Sequence, residues 1–273
     1  MRHALRVVAA EALKQHRRLF GQPLVVFSML IWPVLTLAVT YYTVLPVTGA
    51  PAAGARWAVA GDPRRLLAFL AAGALAYTFF FSLVQSAWHF SFERVSGTLE
   101  AVFLSPASRL ALVVGNGAGA LVQNAWLFGC FAVAAASAAD LLRVAHPGMY
   151  VVAFVALLVP AVAWGAFLNS LLIFSRDSAF LYTLLDDPLW FVAGVRLPLF
   201  ALPVWVKAVG LAFPLTSSLV VLRGSLLDGA RVAELAAPLA WLAALTVGLF
   251  AAAAGLLRWG EARAARTGSL QLF

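Results

Sequence analysis

Six stretches of this sequence, roughly 24–45, 66–88, 109–139, 148–174, 178–195 and 233–258, stay apolar over about the 20 residues that a helix needs to cross a bilayer. No other feature constrains the fold as strongly, because a run of that length with few charges is read as a spanning helix. The composition agrees: 63% of the 273 residues are hydrophobic and 11% are charged, where a soluble domain carries about 25% charged residues. The expected fold is therefore an all-α membrane protein with six transmembrane helices in a single domain. The third and fourth stretches exceed the minimum and are expected to tilt or to extend past the bilayer. The fifth is short and holds Asp186-Asp187-Pro188.

An even number of spans puts both termini on one side. Arg2, Arg6, Lys14, Arg17 and Arg18 precede the first span, and Arg258, Arg263 and Arg266 follow the last, which assigns that side to the cytoplasm of a multi-pass protein of the cell (inner) membrane. By this topology eleven of the nineteen Lys and Arg residues lie inside and eight outside, a bias in the expected direction. The net charge of +8 is scattered singly between apolar runs, which suits loop charges and anionic lipid headgroups rather than nucleic acid. Residues 3–21 place Leu5, Val8, Ala12, Leu13 and Leu19 on one face with basic residues mostly off it, the pattern of a helix lying in the membrane interface. The basic N-terminus then runs into a span too long for the apolar part of a secretory leader, so no leader is expected. The single cysteine, Cys130, forms no internal disulfide.

The connections are short or broken by proline and glycine, and two stretches stand out. His89–Arg109, HFSFERVSGTLEAVFLSPASR, is a polar interruption between two long apolar runs, which puts it at a membrane surface. Gly97 lets the chain leave the preceding helix. Thr98, Leu99 and Glu100 start a short new helix with an acidic side chain near its N-terminus, and Leu99, Val102 and Phe103 make one side of it apolar. Ser105-Pro106 suits the opening of the next helix. The helix expected here covers roughly 93–106. The second stretch, roughly 197–230, is apolar but interrupted by Pro198, Pro203 and Pro214, so one straight span is not expected. Irregular backbone at membrane depth persists only where protein or water satisfies it, and two short re-entrant helices dipping from the outer face are expected.

The run E-x-x-x-G-T-L-E followed by S-P-x-x-R resembles the cytoplasmic loop of ABC-2 type transporter permeases, at Glu93, Gly97, Thr98, Leu99, Glu100, Pro106 and Arg109. The later run L-P-x-W, P-L-T and L-R-G-x-L-x-x-G resembles the end segment of the same family, at Pro203, Trp205, Pro214, Leu215, Arg223 and Gly229. The resemblance implies that the first stretch is a coupling helix between spans 2 and 3, docked on a separate ATPase subunit. It also implies a second permease copy in a homodimer, outward transport, no cofactor bound by this chain, and ATP and Mg on the partner ATPase.

Other polar residues carry weaker signals. Asp186 and Asp187 cost about 2.5–3.5 kcal/mol each at mid-membrane; either they touch a cationic substrate or pair with Arg196, or the span ends short of them and both are interfacial. Gly115 and Gly119 form a G-x-x-x-G suited to close helix packing, and Asn116 and Gln123, on one face, bond across helices or line a passage. His89 and Glu93 have metal-site spacing but no further histidine or cysteine beside them, which favours a helix-end hydrogen bond. No phosphate-cradling, nucleophile-elbow or zinc-protease motif is present in the sequence. The function expected is that of an exporter's permease for an amphipathic, lipid-linked or drug-like cargo. The alternatives are an ATP-independent secondary transporter or channel and, with the least support, an intramembrane enzyme.

Overall fold

Prolines set most of the helix starts. A proline ring fixes φ near the helical value and lacks only an N–H that the first turn leaves unbonded anyway. In the computed structural model, whose described residues are 23–48, 57–95, 144–172 and 189–267 with isolated helical residues at 6–10, 13, 14, 17, 111, 125, 126, 128–131 and 133 and a turn at 21, proline is the first residue of three helices. These are α1 (Pro23–Thr48), α2 (Pro63–Val95) and, further on, α6 (Pro214–Leu226). Between them come α3 (Gly148–Leu172), the single turn α4 (Leu189–Val192) and α5 (Val204–Ala212), and α7 (Ala236–Thr267) closes the chain. Pro147 precedes α3 and Pro203 caps α5. The described residues are helical with no strand among them.

Among the described residues, three helices, within α2, α3 and α7, are long and apolar enough to cross a membrane, and the bent pair α5–α6 makes a fourth if it is one broken span. Within α1 (26 residues), the described side chains include the apolar stretch Val34–Pro46. The boundaries depart from the sequence expectation. α2 starts at 63 rather than 66 and continues to 95 rather than 88, thirty-three residues in all, about 50 Å at 1.5 Å per residue. Glu93 therefore stands on the last turn of α2. α7 runs to 267 rather than 258, because Arg258 and Arg263 fit a helix that has left the apolar layer; the Arg263 guanidinium lies 5.5 Å from the Trp259 ring centre. Of the expected span 178–195, the described part is helical only over Leu189–Val192, and the chain turns at 193–197. The expected spans 24–45 and 148–174 fall on α1 and α3, 109–139 is described only at isolated helical residues, and the 93–106 helix beyond Val95 lies outside the described residues.

α3 is the hub against which α2, α6 and α7 all pack. Leu75, Ala76, Phe79 and Phe80 on α2 recur at the spacing of one helix face, as do Leu215, Leu219, Leu222 and Leu226 on α6. Both faces meet Leu157, Ala161, Trp164 and Leu168 of α3. Ala153, Ala156, Ala163 and Ala166 are also buried on α3, and small side chains let three neighbours approach one helix closely. A second cluster, Met149, Ala156, Val221, Leu235 and Leu242, ties α6 and α7 to the start of α3. α1 joins at the edge, with Val44 packed near Leu66, Phe69 and Leu70 of α2. α7 is 17% buried over its apolar part, Ala236–Gly260, against 67% for Pro63–Ser82 of α2, so α7 lies at the rim and α2 inside.

Candidate functional site

The site begins with what one proline forces. Phe213 precedes Pro214, and the proline ring excludes the helical region for the residue before it. Phe213 adopts φ −93 and ψ 132, which ends α5 and starts α6 at an angle of 94°. Two short helices therefore stand where the sequence suggests re-entrant ones. Pro203 and Trp205 open α5 and are exposed, Trp205 by 70%, whereas Pro214 and Leu215 are buried at the start of α6. Gly229 supplies φ +70 in the turn after α6, where the Ala230 N–H donates to Gly224 O at 2.9 Å.

Arg223, in the last turn of α6, holds the assembly together. Its Nη1 donates to the carbonyl of Gly194 at 2.8 Å, and its Nη2 donates to Val195 O at 2.8 Å and to Phe69 O at 3.1 Å. The guanidinium carbon also lies 3.4 Å from the centre of the Phe69 ring, a cation–π contact, and that ring packs edge-on against Trp57 at 5.0 Å. Asp228, on the turn that follows, adds an attractive charge. Arginine is the side chain suited to this place, since its planar fork reaches several acceptors at once and its charge persists when half-buried.

Three backbone details make the contact possible. Gly194 has φ +76 and turns the chain straight out of α4, presenting its own carbonyl and that of Val195 in the same direction. Gly73 lies in the middle of α2, where glycine costs about 1 kcal/mol relative to alanine. A Cβ there would run into the Val195 carbonyl oxygen and stand 2.9 Å from Arg223 Nη2. Gly73 is also four residues after Phe69, whose carbonyl is its helical acceptor, so the missing side chain leaves that oxygen open to the guanidinium. Gly210 does the same for α5: a Cβ would strike the carbonyl oxygen of Val192 at the end of α4.

The buried polar atoms around the break form the other part of the site. Thr216 Oγ1, Ser218 Oγ and Trp164 Nε1 are buried and make no hydrogen bond among the described residues. Helical hydroxyls elsewhere behave differently. Thr78, Ser82, Ser170, Ser225 and Thr246 each donate to the carbonyl three or four residues back. Thr216 stands in the first turn of α6, so the residues three and four before it are Phe213 and Ala212, at and beyond the break, and the Phe213 carbonyl already accepts the Thr216 N–H at 3.3 Å. Trp164 meets Phe213 edge-on at 5.5 Å, which sets the tip of the broken pair against the body of α3.

A separate surface hollow of ≈ 290 Å³ lies between the start of α3 and the turn before α7, lined by Ala145, His146, Gly148, Met149, Val152, Arg231 and Val232. His146 Nδ1 accepts the Gly148 N–H at 2.9 Å and so caps α3. No group of three His, Cys, Asp or Glu suited to a metal occurs among the described residues.

Of the residues singled out in the sequence, the structure brings Pro214 and Arg223 into one element and sets Pro203 and Trp205 on its exposed neighbour. Arg196 lies half-buried on the 193–197 turn. Gly97, Thr98, Leu99, Glu100, Pro106, Arg109, Asn116, Gln123, Asp186 and Asp187 lie outside the described residues. Sequence reasoning missed Phe69, Gly73, Trp164, Thr216 and Ser218. Two signals were present: a glycine interrupting an apolar helix, and the run Thr216-Ser217-Ser218 directly after a helix-breaking proline. No family model and no curated protein matches the chain.

Proposed function

We propose that this chain is the membrane-spanning permease subunit of an ABC-2 type exporter, moving an amphipathic, lipid-linked or drug-like cargo outward on ATP hydrolysed by a separate subunit. The observation that carries the proposal is the stretch Glu93–Arg109, whose residues resemble the ATPase-docking loop of that family and which α2 enters as one uninterrupted helix. A helix of about 50 Å offers a stiff connection from such a docking loop to Phe69 and Gly73, where α2 meets Arg223. The broken pair α5–α6 ahead of the last helix supports the same reading, since the second stretch of resemblance falls on it. In this reading ATP and Mg bind the partner ATPase, two permease copies pair, and both termini face the cytoplasm of the cell membrane.

The test is copurification of the full chain with a soluble ATPase, with transport measured beside it. Glu93→Gln combined with Glu100→Gln is expected to weaken the association by about 2–5 kcal/mol, the scale of a desolvated charged contact, while membrane insertion and melting stay unchanged. Normal transport with the ATPase retained in the double variant would show that the loop is an ordinary connection. In a Cys130→Ala background, Ser96→Cys is expected to react with an impermeant thiol reagent from the cytoplasmic side only. Reaction from outside overturns both the topology and the docking role.

A further inference from the structure

The grip of Arg223 is made almost entirely on backbone that belongs to other elements: the turn after α4 and the middle of α2. Contacts of this kind hold positions, and they can be undone without unfolding any helix, because Gly194, Val195 and Phe69 lie 29, 28 and 154 residues away in the chain. Thr216 precedes Arg223 by seven residues, two helical turns, and so stands on the same side of α6. It is 0% exposed, its hydroxyl has no hydrogen-bond partner among the described residues, and it lies beside Gly210 of α5. An unsatisfied hydroxyl in a well-packed region stabilises no closed arrangement and gains a partner when water reaches it.

We infer that Arg223 is a positioning residue that latches the broken pair α5–α6 onto α2, and that releasing it opens the face of α6 carrying Thr216 to water. Arg223 sets which of two positions the pair occupies, and Gly73 is the seat that lets the latch close. Since the latch involves only this chain, it holds whether or not an ATPase drives the transporter, and its test does not depend on the permease reading.

The test uses the full chain in membrane vesicles, with Cys130→Ala and Thr216→Cys as the probe and a small water-soluble methanethiosulfonate as the reagent. A second probe, Ser170→Cys, sits at a position that is 0% exposed on α3 and whose hydroxyl bonds to Ala166 O. In the otherwise unaltered chain both probes are expected to react slowly. Arg223→Met removes the donors while keeping bulk, and Gly73→Ala keeps the arginine but pushes it and the 193–197 turn off α2. Each is expected to speed labelling at 216 by about tenfold or more, because net loss of even one such hydrogen bond shifts an opening equilibrium by roughly that factor. Labelling at 170 stays slow in both. Arg223→Lys, which keeps the charge but concentrates its donors at one point, is expected to fall between Arg223→Met and the unaltered chain. The inference is overturned by equal labelling at 216 in every background, by fast labelling at 216 in the unaltered chain, or by a rise at 170 that matches the rise at 216. Loss of both variants from the membrane also overturns it, since Arg223 would then be a tie the fold requires and not a latch.

Discussion

α5 and α6 are joined through a single residue, Phe213, yet α6 is buried at eleven of its thirteen positions and α5 at Gly210 alone. Hydrophobicity does not explain the difference, for the exposed helix is the more apolar of the two. Val204 is 82% and Trp205 70% exposed on α5, while α6 carries Thr216, Ser217, Ser218 and Ser225 inside. In water this arrangement would be inverted. In a bilayer, lipid chains are as apolar as leucine, so an apolar helix gains little by leaving them. Polar side chains gain from protein neighbours, and small ones allow close packing. The pair thus shows that small side chains and room for close backbone approach sort its helices ahead of hydrophobic burial.

The contrast can be broken first at Leu222, which is 0% exposed in the core shared with α3. Leu222→Ala is expected to cost about 2–5 kcal/mol through the cavity it leaves, read as a lowered melting temperature in detergent. Truncating exposed Val204 to alanine is expected to change stability by less than about 0.5 kcal/mol. Equal losses at the two positions would mean that α5 is as firmly packed as α6.

Glycines sharpen the comparison at the next level. Gly73→Ala places a methyl group against the Val195 carbonyl and is expected to destabilise by about 1–3 kcal/mol, as overpacking does. Gly248→Ala, on the rim helix α7, meets nothing within 4 Å and is expected to stabilise by up to about 1 kcal/mol, the difference in helix propensity. Thermal melts of the two variants should therefore move in opposite directions, and movement in the same direction would contradict the close seating of Arg223 on α2.

The smallest effect concerns hydroxyls. Thr216→Val removes a buried group that has no hydrogen-bond partner among the described residues and is expected to raise stability by about 1 kcal/mol. Thr246→Val removes a hydroxyl bonded to Leu242 O at 2.6 Å and is expected to lower stability by a similar amount, about 1 kcal/mol. Melting curves that show a loss in both would mean that Thr216 has a partner.

Much of this was legible in the sequence, residue by residue. The apolar runs located α2, α3 and α7, and Pro214 announced the break between α5 and α6. The family resemblance drew attention to Arg223 without saying what it touches. Phe69 and Gly73 carried no such sign, because a phenylalanine and a glycine in an apolar helix look alike whether they face lipid, a neighbouring helix or a guanidinium. The helix ends also escaped, since Glu93 and Arg263 are compatible with helix once it has left the apolar layer, and hydropathy marks the layer rather than the helix.

What the sequence determined by itself, among the described residues, is where the long apolar helices α1, α2, α3 and α7 run and where Pro214 breaks the chain. Hydropathy over about 20 residues and the missing N–H of proline act within a few residues of where they stand. What only the tertiary structure decided is which faces are inside and what the half-buried arginine holds. The carbonyls of Gly194, Val195 and Phe69 become one acceptor set only when the turn after α4, the end of α6 and the glycine of α2 meet in space. No local rule couples positions 69 and 223, since every residue offers the same carbonyl and only packing determines which of them an arginine can reach.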